Sequence, residues 1–169
     1  SVVGTYTLQV IETNAQGCIG LPVTCQIDVV NGPNVSINPI GPLCAGDPII
    51  NLVGNPSGGA FTGNGVVGDT FNPTFGNQTI TYTYNDPNGC SGTATFNIAV
   101  NANTTPTITG VTSFCAGGNS TLNAGGGYTN YLWSGGATTQ TINVTTGGNY
   151  AVTVTNAAGC TATTNKVIT

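Results

Sequence analysis

The sequence predicts an all-β protein, built as a string of small antiparallel sandwiches clamped by disulfides. Three observations predict it. Apolar residues alternate with polar ones over short runs, with a period of two and not of 3.6. Clusters of Gly, Asn, Asp and Pro punctuate those runs at the intervals expected of turns. Cysteines recur in a pattern that repeats roughly every 70 residues, the mark of a tandem architecture.

The elements follow in chain order. At the start, Tyr6, Leu8 and Val10 alternate with Thr5, Thr7 and Gln9, and a second run places Cys25, Ile27 and Val29 at the same parity. These read as two half-buried strands of one hairpin. Farther on, Ala94, Phe96, Ile98 and Val100 alternate with Thr93, Thr95 and Asn97. Tyr150, Val152 and Val154 alternate with Ala151, Thr153 and Thr155. Turn signals such as Asn85-Asp86-Pro87-Asn88-Gly89 and Gly58-Gly59 separate such runs, leaving room for six or seven short strands per unit and no helix. Two packed sheets are the natural way to bury so many half-apolar strands.

Self-comparison fixes the units. Cys44-Ala45-Gly46 and Cys115-Ala116-Gly117 each open a stretch that is answered by a Gly-Cys pair, Gly89-Cys90 and Gly159-Cys160. Phe61 and Trp133 stand at nearly the same distance from their opening cysteines, as do Phe71 and Ile142, and Gly76 and Gly147. Residues 1–31 match only the last part of a unit. There Gly4-Thr5-Tyr6 resembles Gly148-Asn149-Tyr150, and Gly17-Cys18 takes the place of the later Gly-Cys pairs. The chain therefore divides into the last strands of one unit, 1–31, and two whole units, 32–101 and 102–169. Pro33 and Pro106 stiffen the two joints.

Composition narrows function by exclusion. Gly (26), Thr (30) and Asn (21) fill much of the 169 residues, while charged residues make up 4% and the net charge is -4. There is no His, Arg or Met, and Lys166 is the one basic side chain. General bases, imidazole metal ligands and phosphate clamps are thereby missing, and a nucleic-acid partner would require a basic patch. The expectation is that the chain is not an enzyme, takes no cofactor and binds no nucleic acid. Hydrophobic residues at 38% are enough for a folded core. Six cysteines with no C-x-x-C spacing read as disulfides formed in an oxidising, extracellular compartment. Ser1–Val10 lacks the basic start and apolar run of a signal peptide, and no run of 18 apolar residues offers a membrane span, so any export signal is expected outside this stretch.

One set of motifs carries a resemblance. It comprises Cys115-Ala116-Gly117 leading to Leu122, Tyr131-Leu132-Trp133-Ser134-Gly135 with Thr138-Thr139-Gln140, and Gly148 to Val154 before Gly159-Cys160. Together these resemble the Ig-like and PKD-like tandem repeats of very large secreted surface proteins and adhesins of the Bacteroidota. The middle unit, with Gly63-Asn64-Gly65-Val66, Phe71-Asn72-Pro73 and Tyr82-Thr83-Tyr84, is similar to a second flavour of the same repeats. The resemblance covers nearly the whole chain and implies Ig-like sandwiches on a bacterial cell surface, secreted by the type IX route. It is specific for the repeat class and weak for any one function.

Candidate sites are few. Matching offsets suggest Cys44 with Cys90 and Cys115 with Cys160, each a clamp within one unit. Cys18 and Cys25 pair with each other, pair with another segment or chain, or stay free. Trp133, with Tyr131 and Tyr128 nearby, is the one residue that could stack on a sugar ring, but the equivalent Phe61 favours a core position. Asp47, Asp69 and Asp86 read as turn residues before they read as a calcium site. Lys166 lies in the unit without a carboxylate, which argues against an isopeptide staple. Five sequons (Asn34, Asn77, Asn103, Asn119, Asn143) are no more than the abundance of Asn and Thr produces by chance.

The functional expectation is a structural segment of an extracellular fibre, stalk or adhesin, its partners being copies of itself or neighbouring repeats joined head to tail. The alternative is a carbohydrate-binding accessory module with a surface glycan as partner. The leading hairpin sharpens the choice. Its inward face of Tyr6, Leu8, Val10, Ile27 and Val29 needs strands from elsewhere to cover it, and a covering molecule in a non-closing contact would generate a fibre.

Overall fold

A computed structural model describes residues 2–169, and the chain is all β. The leading hairpin pairs β1 (Gly4–Val10) with β2 (Val23–Val29). Ten strands follow, all but two of them short: β3 (Ser36–Ile37), β4 (Leu43–Cys44), β5 (Ile50–Asn51), β6 (Gly54–Asn55), β7 (Ala60–Thr62), β8 (Val66–Val67), β9 (Thr70–Phe71), the long pair β10 (Gln78–Asn85) and β11 (Ser91–Ile98), and β12 (Val100–Asn101). The last stretch holds β13 (Ser120–Asn123), β14 (Asn130–Trp133), β15 (Thr141–Val144), β16 (Gly148–Thr155) and β17 (Thr161–Ile168). A single turn of 3-10 helix at Pro73–Phe75 is the only helical element among the described residues. Strand number differs between the two stretches, because the middle one breaks its edges into two-residue pieces at Gly and Pro.

Each long hairpin anchors a three-stranded antiparallel sheet, β11-β10-β7 in the middle stretch and β14-β16-β17 in the last. Shorter pairs lie in the sheets β3-β6 and β5-β9-β8 of the one and β13-β15 of the other. The apolar parity predicts what is buried. Ile80, Tyr82 and Ile98 close one core with Phe61 and Phe71, while Val152, Val154 and Ile168 close the other with Trp133 and Leu122. These are two separate clusters of buried residues, one drawn from either side of the joint near Asn101.

The aromatic positions keep their equivalence. Phe61 of β7 lies opposite Tyr82, and Trp133 of β14 lies opposite Val152, so each stands beside the inner strand of its long hairpin. Trp133 is 2% exposed and its Nε1 donates to the Thr139 carbonyl at 2.8 Å. Tyr82 is equally enclosed, with its hydroxyl donating to the Pro56 carbonyl at 2.6 Å and accepting from Gly59 N at 2.8 Å. Gly54 and Gly59 make room for that ring, since a Cβ on either would overlap it. No buried side-chain nitrogen or oxygen among the described residues lacks a partner, as a low-dielectric interior requires.

Candidate functional site: the covalent joint and the uncovered hairpin

The expected disulfide pairing is corrected here. Cys44 is bonded to Cys160, across 116 residues of sequence and a Cα–Cα distance of 5.6 Å, whereas Cys90 and Cys115 are free thiols. The reason lies in the direction of the strands. Leu43–Cys44 pairs in parallel with Val100–Asn101, so the Cys44 turn sits at the end where the chain leaves its own sheet. Cys90 lies in the loop before β11, whose eight residues span about 27 Å of extended chain, at the opposite end. The last stretch repeats the layout. Phe114 N donates to the Thr169 carbonyl and Thr169 N to the Thr112 carbonyl, which puts Cys115 at the outgoing end and Cys160 at the incoming one. Cys44, at the outgoing end of the middle stretch, therefore meets the hairpin at the incoming end of the last.

Three elements build this joint. The Cys44 turn is closed by Asp47, whose N donates to the Cys44 carbonyl at 2.9 Å and whose Oδ2 accepts from Cys44 N at 2.7 Å. The connecting strand contributes Asn101, whose carbonyl accepts from Ala45 N at 2.9 Å. The β16–β17 hairpin contributes Asn156, whose Nδ2 donates to the Ala102 carbonyl at 3.1 Å. Gly46 is packed so closely on Asn103 that a Cβ there would collide with its amide. Cys160 is 3% exposed, so the sulfur bridge is sheltered by the joint that it ties.

The hairpin tips show a motif that the reading of cysteine spacing alone missed. In Asn14–Cys18, Asp86–Cys90 and Asn156–Cys160 the first side chain's Oδ1 accepts from two backbone N–H groups, those two and four residues on. In each, the first residue's N donates to the cysteine carbonyl, and the glycine's N donates back to the first residue's carbonyl. Gly17, Gly89 and Gly159 sit at φ of 81°, 86° and 85°, a region that a side chain disfavours. The signal was present as Asx-x-x-Gly-Cys, three times over. This loop holds the cysteine at the tip with its backbone already satisfied; the side chain is exposed at Cys18, half-buried at Cys90 and buried in the disulfide at Cys160.

The leading hairpin has the register that its parity predicts. Tyr6 lies opposite Ile27, Leu8 opposite Cys25, Val10 opposite Val23 and Gly4 opposite Val29, so the apolar residues share one face. On the other face Thr5 Oγ1 donates to Asp28 Oδ1 at 2.6 Å. Among the described residues nothing covers the apolar face. Leu8 is 53% exposed and Val10 62%, and Tyr6 and Ile27 are exposed as well. Cys18 and Cys25 are both exposed and are not bonded to each other, which removes the first of the three options open to them in sequence.

The remaining candidates fall to structural duties. Tyr128 and Tyr131 meet edge to face at 5.8 Å against the core around Trp133, and the Tyr131 hydroxyl donates to the Gly125 carbonyl. Asp47 and Asp86 shape loops as described, and Asp69 offers its carbonyl to Leu52 N. Lys166 Nζ donates to the Ile108 carbonyl at 3.3 Å. No three His, Cys, Asp or Glu side chains converge among the described residues, and none of the helical residues forms a segment long and apolar enough to cross a membrane. No family model matches the chain, and no curated protein matches it in sequence.

Proposed function

We propose that this chain is a load-bearing segment of an extracellular fibre, stalk or adhesin, in which successive sandwiches are locked end to end. The single observation that carries the reading is the Cys44–Cys160 bond, which crosses from one hydrophobic core to the next. A disulfide within a unit stabilises that unit, whereas one between units suppresses rotation at the joint and carries tension past it. Closing a loop of this length restricts the unfolded chain by about 5 kcal/mol in the chain-entropy argument. A disulfide also suits an oxidising, extracellular setting. The apolar face of the leading hairpin adds a surface for a head-to-tail neighbour.

The burial of Trp133 removes the stacking surface on which a glycan-binding reading would rest. A structural role needs neither a cofactor nor a catalytic residue. Imaging of cells that make the protein, labelled with antibody against residues 1–169, tests the proposal. Labelled filaments or rods projecting from the surface, with a constant axial spacing, are the expected result. Label confined to the cell interior, or to compact particles in the medium, would overturn it.

A further inference from the structure

The chain closes one covalent joint, Cys44–Cys160, and two of its unbonded cysteines, Cys115 and Cys18, sit in loops like the two that make that joint. Cys115 stands at the outgoing end of the last unit in a turn equivalent to that of Cys44, with Gly118 N donating to the Cys115 carbonyl as Asp47 N does to that of Cys44. Phe114 N reaches the Thr169 carbonyl as Leu43 N reaches that of Ala99. Cys18 stands at the tip of the leading hairpin, in the same Asx-x-x-Gly-Cys loop that presents Cys160. Both thiols are exposed and free. The apolar face behind Cys18 is uncovered, whereas its counterpart in the β16–β17 hairpin is buried within its own core, so the joint itself is made by the hairpin tip and the turn.

We propose that the Cys115 turn is a docking and cross-linking site for the leading hairpin of a second copy of this chain, closing a Cys115–Cys18 disulfide that reproduces the Cys44–Cys160 joint between copies. The second observation beyond the thiols is that joint itself. It shows what occupies a turn of this kind, which loop supplies the partner sulfur, and how the connecting strand and hairpin pack around them. Because the contact joins one face of a copy to a different face of the next, it is not used up in a twofold dimer and passes from copy to copy into a polymer. Cys90 shares the tip loop but is half-buried next to the linker, where Gly32 and Pro33 pack against Ser91 and Gly92, and Cys25 lies on the hairpin's own apolar face, so neither takes part.

The chemistry balances with a disulfide oxidant such as oxidised glutathione. One thiolate, Cys115 or Cys18, attacks the oxidant's sulfur, releasing one reduced thiol and leaving a mixed disulfide. The second cysteine's thiolate then displaces the other half of the oxidant, so two protons and two electrons leave the protein pair and two glutathione thiols form.

The inference rests on the fibre reading and deepens it. The full chain, incubated at high concentration with oxidised and reduced glutathione, is resolved by non-reducing electrophoresis and its cross-linked peptides are mapped by mass spectrometry. A ladder of oligomers is expected, with Cys115–Cys18 exceeding every other intermolecular pair by about tenfold, as docking raises the effective concentration of the two thiols. In denaturing urea that preference should vanish. Cys115→Ser and Cys18→Ser should each abolish the ladder, and mixing the two variants should give a dimer that grows no further. Cys90→Ser should leave the ladder unchanged. Dominant Cys115–Cys115 or Cys115–Cys90 bonds, a statistical mixture, or Cys115 recovered only as its glutathione adduct would each overturn the proposal. Filaments seen on cells together with such a result would sink the cross-link and leave the fibre reading standing, whereas the absence of filaments would remove the fibre reading itself.

Discussion

The leading hairpin and the β16–β17 hairpin are built alike and buried differently. Both begin at a glycine, alternate apolar and polar residues, and end in an Asx-x-x-Gly-Cys tip with the same hydrogen bonds. In the last hairpin Val152 and Val154 are buried under Leu122 and Trp133, and the tip cysteine is bonded to the preceding unit. In the first, Leu8 and Val10 face solvent and the tip cysteine is free. Local sequence thus sets a hairpin's register and the shape of its tip, and only the strands opposite decide whether its apolar face becomes core. What distinguishes a finished unit from an open one is its surroundings.

The largest effect expected from that difference comes from truncating the covered side. Trp133→Ala should destabilise the last unit by about 3–5 kcal/mol, since it removes a ring that is almost wholly enclosed together with the Nε1 bond to Thr139. Denaturant unfolding monitored by far-UV circular dichroism checks this, and a loss under about 1 kcal/mol would mean that the ring is not core.

Next comes the covalent joint. Cys160→Ser, or reduction, should cost about 2–5 kcal/mol and lower the midpoint of thermal unfolding, because the long loop is no longer closed in the unfolded chain. Cys18→Ser, at the equivalent tip of the open hairpin, should leave the midpoint unchanged. Equal effects of the two substitutions would erase the comparison.

A smaller effect is expected from the tips themselves. Asn156→Ala removes an oxygen that accepts from Ala158 N and Cys160 N, and should cost about 1 kcal/mol. Its amide hydrogens at 158 and 160 should exchange faster than those of the unaltered protein. Asn14→Ala should speed exchange at 16 and 18 with little change in global stability, since its hairpin is not packed on a core.

How much of this was legible in the sequence follows from the same contrast. Strand period, the matching places of Phe61 and Trp133 beside their long hairpins and the shared face of the leading hairpin all depend on local spacing, and all are as read. The disulfide partner is not a local property. In a periodic chain, a bond within a unit and a bond to the next unit differ by one whole repeat, and matching offsets satisfy both. What separates them is which end of the sandwich each cysteine occupies, and this rests on the two-residue parallel pairing of β4 with β12, too short to leave a pattern in sequence. Trp133 was legible as core for a different reason. Its counterpart is Phe, and a position that accepts either ring is filled by volume and not by ring-face recognition.

The smallest expected effect is the most discriminating. Leu8→Ala in the leading hairpin should change the stability of the isolated chain by less than about 0.5 kcal/mol, because the side chain is more than half exposed and no strand lies over it. A buried leucine in either core, such as Leu122, would cost about 2–5 kcal/mol by the same truncation. The contrast turns on cover and not on residue type. It also depends on concentration: where copies associate through this face, Leu8 becomes interfacial and its truncation should weaken association while leaving the monomer's unfolding unchanged. Sedimentation over a range of protein concentrations, beside denaturant unfolding of the dilute chain, separates the two quantities. A loss of monomer stability comparable to that of a core leucine would show that the hairpin folds back onto its own chain in solution, and its apolar face would then no longer serve as a docking surface.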